Sequence, residues 1–185
     1  GHQRTAYPLR ELAFKGKVIT ANNYPGIPER DKKIWERQYN FYNYISKFYE
    51  VPLIGKPAFK IFDAFQKIAP FYPRQSRSRS NMVLKSIYSL FKNGWGRDLI
   101  EKLKKENSNL PFVATFFIPA FMAEFFKYPA DIFCIVTDTD AARVWAPLNP
   151  PTSRIRYLAP TDRVAERLAL YGVKKENIIL TGFPL

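Results

Sequence analysis

The sequence predicts an α/β fold in which helices flank a parallel sheet, and two observations support this class. Short apolar runs rich in β-branched and aromatic residues recur at 111–117, 131–136, 155–160 and 177–182. The last two runs enclose a helical pattern, so strand, helix and strand follow one another within about 28 residues. Such units build parallel sheets, because parallel neighbours need a long crossover connection.

The helix between the last two runs has recognisable ends. Thr161 is expected to cap its first turn, Asp162 to favour the positive end of the helix, and Gly172 to supply the left-handed residue that ends it. Earlier in the chain, residues 17–22 (KVITAN) predict another strand after an opening helix, and residues 34–105 predict a mainly helical region. The length, 185 residues, fits a single domain spanning 1–185.

The charge of the chain is concentrated. Of a net charge of +13, the stretch 55–106 holds twelve basic and four acidic residues, so it is expected to face an anionic partner, either membrane lipid or nucleic acid. No apolar run approaches the roughly 18 residues that a membrane-spanning helix needs. The single cysteine, Cys134, lies in an apolar run and predicts a buried thiol in a reducing compartment.

The middle of this basic stretch has two interpretations. Over residues 55–80, the aromatic helical stripe either packs on the sheet as core or lies in a membrane interface, and the two are compatible if the aromatic face is partly covered. The basic turn that follows, RQSRSRS, also has the Arg-Ser pattern of RNA-binding segments, a minor alternative without any supporting RNA-binding signature. The residues expected to face the membrane are Lys60, Phe62, Phe65, Lys67, Arg74, Arg77 and Arg79.

Polar residues follow the predicted strands. In open parallel sheets, ligands bind beyond the carboxyl ends of the strands. Thr115 lies at the end of the strand predicted in the first run, the sequence TDTD (137–140) follows the second, Thr161 follows the third, and Thr181 lies at the end of the strand predicted in the fourth. Asp138 is either a general base or hydroxyl-binding group at the edge of an apolar environment, or an ordinary helix cap.

Two segments carry a resemblance to a known family. The residues FCIVTDTDAARVWAP (133–147) and RYLAPTDRVAERLALYGVKKENIILTGFPL (156–185) resemble the N-terminal domain of monogalactosyldiacylglycerol synthases and processive diacylglycerol glucosyltransferases. The opening GHQRTAYPL is similar to the end of that family's Gly-Gly-Gly-His loop and the helix after it. The matching positions in the C-terminal segments are Thr137, Asp138, Trp145, Leu168, Gly172, Val173, Thr181, Gly182 and Pro184.

The resemblance implies the Rossmann-like, acceptor-binding N-terminal half of an inverting GT-B glycosyltransferase. His2 would be the catalytic base and Asp138 its support, because an imidazole can remove the proton of an acceptor hydroxyl. Gly1, Thr115, Thr137 and Trp145 would bind the acceptor, with Trp145 contacting the acceptor or the membrane. The full protein would transfer a hexose to a lipid such as diacylglycerol, as a peripheral membrane protein on the cytoplasmic face.

The resemblance also implies which parts of the full enzyme would lie outside this chain. The nucleotide-sugar donor, a UDP-sugar, would bind a C-terminal domain, and the strand before the glycine-rich loop would precede Gly1. We therefore expect no cofactor, no metal and no nucleic acid in this domain, and no turnover by the chain as given.

The chain departs from the family at two places. Ala142 stands where members usually have a histidine, and Thr-Phe-Phe (115–117) stands where many have Ser/Thr-His-Pro. Both changes remove polar groups near the expected acceptor site. An alternative is therefore a non-catalytic, peripheral membrane-binding module derived from this family.

Overall fold

In the residues that the computed structural model describes, 2–48, 68 and 70–183, four parallel strands form one sheet with helices packed on it. The fold is therefore α/β with a parallel sheet, as the sequence predicts. The helices and strands, in chain order, are α1 (His2–Ala6), α2 (Glu29–Phe48), α3 (Met82–Lys92), α4 (Arg97–Asn107), β1 (Phe112–Ala114), α5 (Phe117–Phe125), β2 (Ile132–Ile135), β3 (Arg156–Ala159), α6 (Asp162–Leu170) and β4 (Ile178–Leu180).

The strands lie in the order in which they occur in the chain, β1-β2-β3-β4. Ala114 pairs with Cys134, Cys134 with Tyr157, and Tyr157 with Ile178, so one row of side chains crosses the whole sheet. Helix α5 packs on β1 and β2, and helix α6 packs on β3 and β4. Since all four strands are parallel, their carboxyl ends lie at the same edge.

The β3-α6-β4 unit is confirmed with the ends that the sequence predicts. The Thr161 side chain accepts a hydrogen bond from the backbone N–H of Val164 at 3.2 Å. Asp162 lies in the first turn of α6, and Gly172, with φ of +95°, follows its last turn. The left-handed conformation is open to glycine at little cost, so this residue ends the helix where it does.

The connection from β2 to β3 contains no α-helix and is instead built from two 3-10 turns, Arg143–Trp145 and Pro150–Thr152. The buried guanidinium of Arg143 donates hydrogen bonds to the carbonyls of Ser78, Ala146 and Pro147. These bonds satisfy backbone acceptors that an irregular buried segment would otherwise leave unpaired. Arg143 thereby attaches the segment around Ser78 to the β2-β3 connection.

In the described part of the 34–105 region, α2, α3 and α4 are helical, although α2 begins at Glu29, whereas residues 70–81 and 93–96 form no helix. Trp95 and its neighbours Leu84, Phe91 and Ile100 are buried and belong to the core. None of the helices in the described residues is both long and apolar enough to cross a membrane. Cys134 is buried and free, and burial raises the pKa of its thiol.

The strand predicted for residues 17–22 is wrong. Lys15 and Gly16 both have positive φ, at 54° and 64°, and turn the chain sharply just before this segment. A second turn follows at once, in which the N–H of Asn23 bonds to the carbonyl of Thr20. Residues 17–20 are thus a short irregular link without a strand partner, although Ile19 packs against the core.

Among the described glycines, Gly96 has the closest contacts around its Cβ position. A Cβ at this residue would clash with the side chain of Met122, which is fully buried, and Gly96 has φ of +82°. Gly26 has the same φ but no atom near its Cβ position. We expect Gly96→Ala to lower the free energy of unfolding by about 3 kcal/mol, and Gly26→Ala by about 1 kcal/mol.

Urea denaturation of the two variants measures this difference. Equal losses in the two variants would show that backbone strain alone, and not contact with Met122, sets the requirement for glycine at residue 96.

Candidate functional site

The structure brings together four of the side chains that the sequence places at the candidate site. Thr115 and Thr137 follow β1 and β2, two neighbouring parallel strands, so both lie at the carboxyl edge of the sheet. His2, the first residue of α1, lies between them, and Trp145 lies close to His2 from the β2-β3 connection. These residues are far apart in the sequence, and the carboxyl edge of the sheet brings them together.

His2 is held through one nitrogen of its imidazole. Its Nδ1 lies 2.9 Å from the carbonyl oxygen of Thr115 and 2.9 Å from the hydroxyl oxygen of Thr137. Because a carbonyl only accepts hydrogen bonds, Nδ1 carries the proton, and the Thr137 hydroxyl accepts from the same N–H. The Thr115 hydroxyl in turn donates to the backbone carbonyl of His2 at 2.9 Å.

This arrangement leaves the second nitrogen with a lone pair. In the neutral imidazole only one nitrogen carries a proton, so a protonated Nδ1 makes Nε2 the acceptor. Within the described residues, Nε2 has no hydrogen-bond partner. An oriented imidazole with an open Nε2 is the geometry that a general base needs.

Aromatic rings surround the imidazole. The ring centroid of Phe116 lies 4.5 Å from that of His2, and the Trp145 centroid lies 6.0 Å from it. Burial lowers the pKa of His2 below 6.5, and the opposing influences of the Thr115 carbonyl and the Asp138 charge do not cancel this effect. The imidazole is therefore neutral at neutral pH, which is the protonation state of a base.

Asp138 acts on His2 through its charge and not through a hydrogen bond. Its Oδ2 accepts a bond from the indole Nε1 of Trp145 at 3.1 Å. The Trp145 backbone is itself fixed, since the buried hydroxyl of Tyr157 donates to its carbonyl at 2.8 Å. Trp145 is only 3% exposed, so it contributes to the site from the core and does not lie at the surface.

The second aspartate of the TDTD sequence has a different place. Asp140 accepts hydrogen bonds from Arg163 and Arg167, and the side chain of Arg167 is 1% exposed. Burial alone would raise the pKa of Asp140, but the bonds from Arg167 and Arg163 outweigh it and hold that pKa below its ordinary value. Asp140 therefore joins the β2-β3 connection to α6, whereas Asp138 is exposed at the candidate site.

The basic turn is only partly available to a partner. Arg74 pairs with Glu166 at 2.9 Å and lies over the ring of Phe71. Arg77 and Arg79 form no side-chain ion pair with any described residue, although the backbone N–H of Arg77 bonds to the carbonyl of Leu170. The remaining predicted residues, Gly1, Lys60, Phe62, Phe65 and Lys67, lie outside the described residues.

Two contributors to the site were not identified as such from the sequence. The sequence marks Phe116 only as part of a departure from the pattern of the resembled family, yet its ring is the one closest to His2 among the described aromatic pairs. Arg143 carries no sequence signal for its role, because its partners are backbone carbonyls of two separate segments. Across the described part of the chain, His, Cys, Asp and Glu side chains form no group that could hold a metal ion.

No protein-family model, no curated protein and no solved structure matches this chain.

The two aspartates of TDTD provide a matched pair of variants. We expect Asp140→Asn to lower the free energy of unfolding by about 3 kcal/mol, because it leaves the buried Arg167 guanidinium without its counter-charge. Asp138→Asn should lower the free energy of unfolding by less than about 1 kcal/mol, since Asp138 is exposed. The amide oxygen of the new Asn can still accept the hydrogen bond from Trp145. Thermal or urea denaturation measures both, and a larger loss from Asp138→Asn would contradict the assignment of Asp140 as the structural partner.

The pKa of His2 predicts a pH dependence of stability. Because that pKa is lowered in the folded chain, the unfolded chain binds the proton more readily, and the free energy of unfolding falls as the pH drops below 6.5. Well above 6.5 both states are neutral at this residue and the effect is absent. His2→Asn keeps an N–H donor where Nδ1 lies but does not titrate, so it should lose less stability over this range.

Urea denaturation at pH values on both sides of 6.5 tests the assignment. If wild type and His2→Asn show the same pH dependence, the buried environment assigned to His2 is wrong.

Proposed function

We propose that this chain is the acceptor-binding domain of an inverting, nucleotide-sugar-dependent GT-B glycosyltransferase that transfers a hexose to a lipid hydroxyl, such as that of diacylglycerol. The observation that carries the proposal is the state of His2, which is oriented through Nδ1 by Thr115 and Thr137 and leaves Nε2 open at the carboxyl edge of the sheet. These are residues that the family resemblance nominates independently of any geometry.

The proposed reaction needs a single base. Nε2 of His2 removes the proton of the acceptor hydroxyl as the hydroxyl oxygen forms a bond to the anomeric carbon of the sugar. The bond from that carbon to the phosphate oxygen breaks, and its electron pair leaves with the nucleoside diphosphate. Attack from the face opposite the leaving group inverts the anomeric carbon, so no covalent sugar intermediate on the protein is required.

Each neighbour of His2 has a role in this scheme. The Thr115 carbonyl and the Thr137 hydroxyl keep the proton on Nδ1, so the lone pair always faces the acceptor. The nearby charge of Asp138 favours the imidazolium that forms when the proton is transferred. Phe116 shields the imidazole and keeps it neutral before the reaction.

The proposal places the donor, a UDP-sugar, on a C-terminal domain and the full protein at the cytoplasmic face of a membrane. The basic surface of the chain, with Arg77 and Arg79 unpaired within the described residues, suits an anionic lipid surface. A lipid acceptor must be reached from that surface, which makes peripheral binding part of the same function.

A second candidate is a non-catalytic membrane-binding module. Phe116, whose ring lies beside the imidazole, and the buried Ala142 favour it, because both stand where members of the family that the sequence resembles have polar groups. It predicts binding to anionic vesicles without sugar transfer by the full-length protein.

The proposal is tested by sugar transfer from UDP-hexoses to diacylglycerol vesicles with the full-length protein. Changing His2 to Asn should lower the rate by about 100-fold or more, because it removes Nε2 while keeping the donor to Thr115. Lys175→Gln, an exposed change at a residue without a role in the proposed site or membrane contact, serves as the control and should leave the transfer rate unchanged.

Two results decide between the candidates. Normal transfer by His2→Asn would overturn the role of His2, and vesicle binding by the wild-type protein without transfer from any common UDP-hexose would favour the non-catalytic module.

A further inference from the structure

Residues 7–18 expose an unusual amount of apolar side chain. Leu12 is 85% exposed, Tyr7 70%, Phe14 50% and Val18 45%. Two 3-10 turns, Pro8–Leu12 and Phe14–Gly16, form this segment, and neither contains a buried residue. Exposed large apolar groups concentrated in one short segment are typical of an interaction site.

The segment is nevertheless ordered by its own hydrogen bonds. The N–H of Arg10 bonds to the carbonyl of Tyr7, that of Ala13 to Arg10, and that of Gly16 to Ala13. The guanidinium Nε of Arg10 also donates to the carbonyl of Gly16 at 2.9 Å. The apolar side chains are therefore carried by a bonded framework that needs no partner to form.

Unpaired positive charge surrounds these side chains. Arg4, Arg10 and Lys15 are exposed, and none of them forms an ion pair with a described residue. Lys17 is the exception, with a bond to Glu106 at 3.5 Å. Glu11 is the single acidic residue of 4–18, so the segment combines exposed apolar groups with a net positive charge.

We infer that residues 4–18, here termed the N-terminal surface, dock on an anionic lipid bilayer, with Leu12 and Phe14 entering the interface and Arg4, Arg10 and Lys15 contacting the headgroups. Charge complementarity favours a bilayer over a protein partner. The cores of protein interfaces are depleted in charged residues, whereas interfacial membrane segments combine inserted Leu and Phe side chains with Lys and Arg at headgroup level.

The N-terminal surface adjoins the candidate site along the chain. It follows α1, which begins at His2 and is five residues long, or about 7.5 Å. Docking through this surface would therefore hold the bilayer close to His2. The inference deepens the proposed function and rests on it for the identity of the lipid acceptor, but docking itself is measured without turnover.

The location differs from the one that the sequence suggests. The sequence places the membrane contact on 60–79, but Arg74 is committed to Glu166 within the protein. Three of the four cations of the N-terminal surface are unpaired among the described residues, and four exposed apolar groups lie in the same segment. It is the stronger of the two docking surfaces in the described part of the chain.

The experiment is sedimentation of the full-length protein with vesicles of phosphatidylcholine, alone or mixed with phosphatidylglycerol, at low and high salt. Three double variants are compared: Leu12→Ser with Phe14→Ser, Arg4→Gln with Lys15→Gln, and Lys127→Gln with Lys175→Gln as the control, which removes the same charge at two exposed lysines outside both proposed membrane-binding surfaces. Thermal unfolding verifies that each variant folds, and analytical ultracentrifugation without lipid measures self-association.

We expect binding to the anionic vesicles only, and weaker binding at high salt. Each cation lost from the N-terminal surface should weaken binding by about 5-fold, and loss of Leu12 and Phe14 should weaken it by about 10-fold or more. The control should lose less than either. The inference is overturned if the control loses as much as the other two variants, if neutral vesicles bind equally well, or if folded wild type binds no vesicles.

Self-association of wild type that Leu12→Ser with Phe14→Ser abolishes would also overturn it, because the occupant would then be a second copy. Failure of the proposed function gives a different result. If the protein docks as described but transfers no sugar, the docking inference holds and the enzymatic proposal is wrong. If it transfers sugar to a detergent-dispersed acceptor but does not bind vesicles, the enzymatic proposal holds and the docking inference is wrong.

Discussion

The connection between β2 and β3 is the segment on which the candidate site depends. Parallel neighbours require a crossover, and most crossovers are helices that satisfy their own backbone hydrogen bonds. Here the crossover is irregular, so side chains supply what a helix would have supplied internally. Arg143 binds three backbone carbonyls, and Asp140 joins the connection to the buried Arg167 of α6. These two charged side chains hold the connection that carries Trp145 and, through Trp145, Asp138.

The same connection links the core to His2. Tyr157, in the middle of the sheet, bonds to the Trp145 carbonyl, and the Trp145 indole bonds to Asp138, whose charge acts on the imidazole. On the other side, Thr115 directly follows β1 and exchanges hydrogen bonds with His2 in both directions. His2 is thus positioned by two neighbouring strands at once, although it begins a helix of only five residues.

The sheet was predictable from the sequence because its strands are apolar runs with clear ends. The α6 helix was predictable together with both of its ends, because Thr161 and Gly172 act on the backbone beside them, and such local effects depend only on the residue type. The KVITAN segment shows where this reasoning fails. Its composition favours a strand, but whether a strand forms depends on a partner, and the positive φ of Lys15 and Gly16 turns the chain away from one.

The residues of the candidate site also differ in whether the sequence alone could predict their roles. Residues at strand ends, such as Thr115 and Thr137, could be nominated because the edge of a parallel sheet is implied by the fold class. The separation of Asp138 from Asp140 could not, since two identical side chains two residues apart differ only in which distant arginine or tryptophan reaches them. The role of Arg143 was likewise invisible, because its partners are carbonyls, which every residue has.

Phe116 is one of the residues at which the chain departs from the family that it resembles, and its position beside His2 gives this departure a physical effect. A polar side chain beside the imidazole could hydrogen-bond to Nε2 and compete with an incoming hydroxyl. The Phe116 ring cannot accept or donate a conventional hydrogen bond, and its contact with His2 adds to the burial that lowers the pKa of the imidazole. A base needs an open lone pair and a neutral ring before it needs further polar neighbours. Apolar residues at 116 and 142 are therefore compatible with the proposed role of His2, because Thr115 and Thr137 orient the imidazole without them.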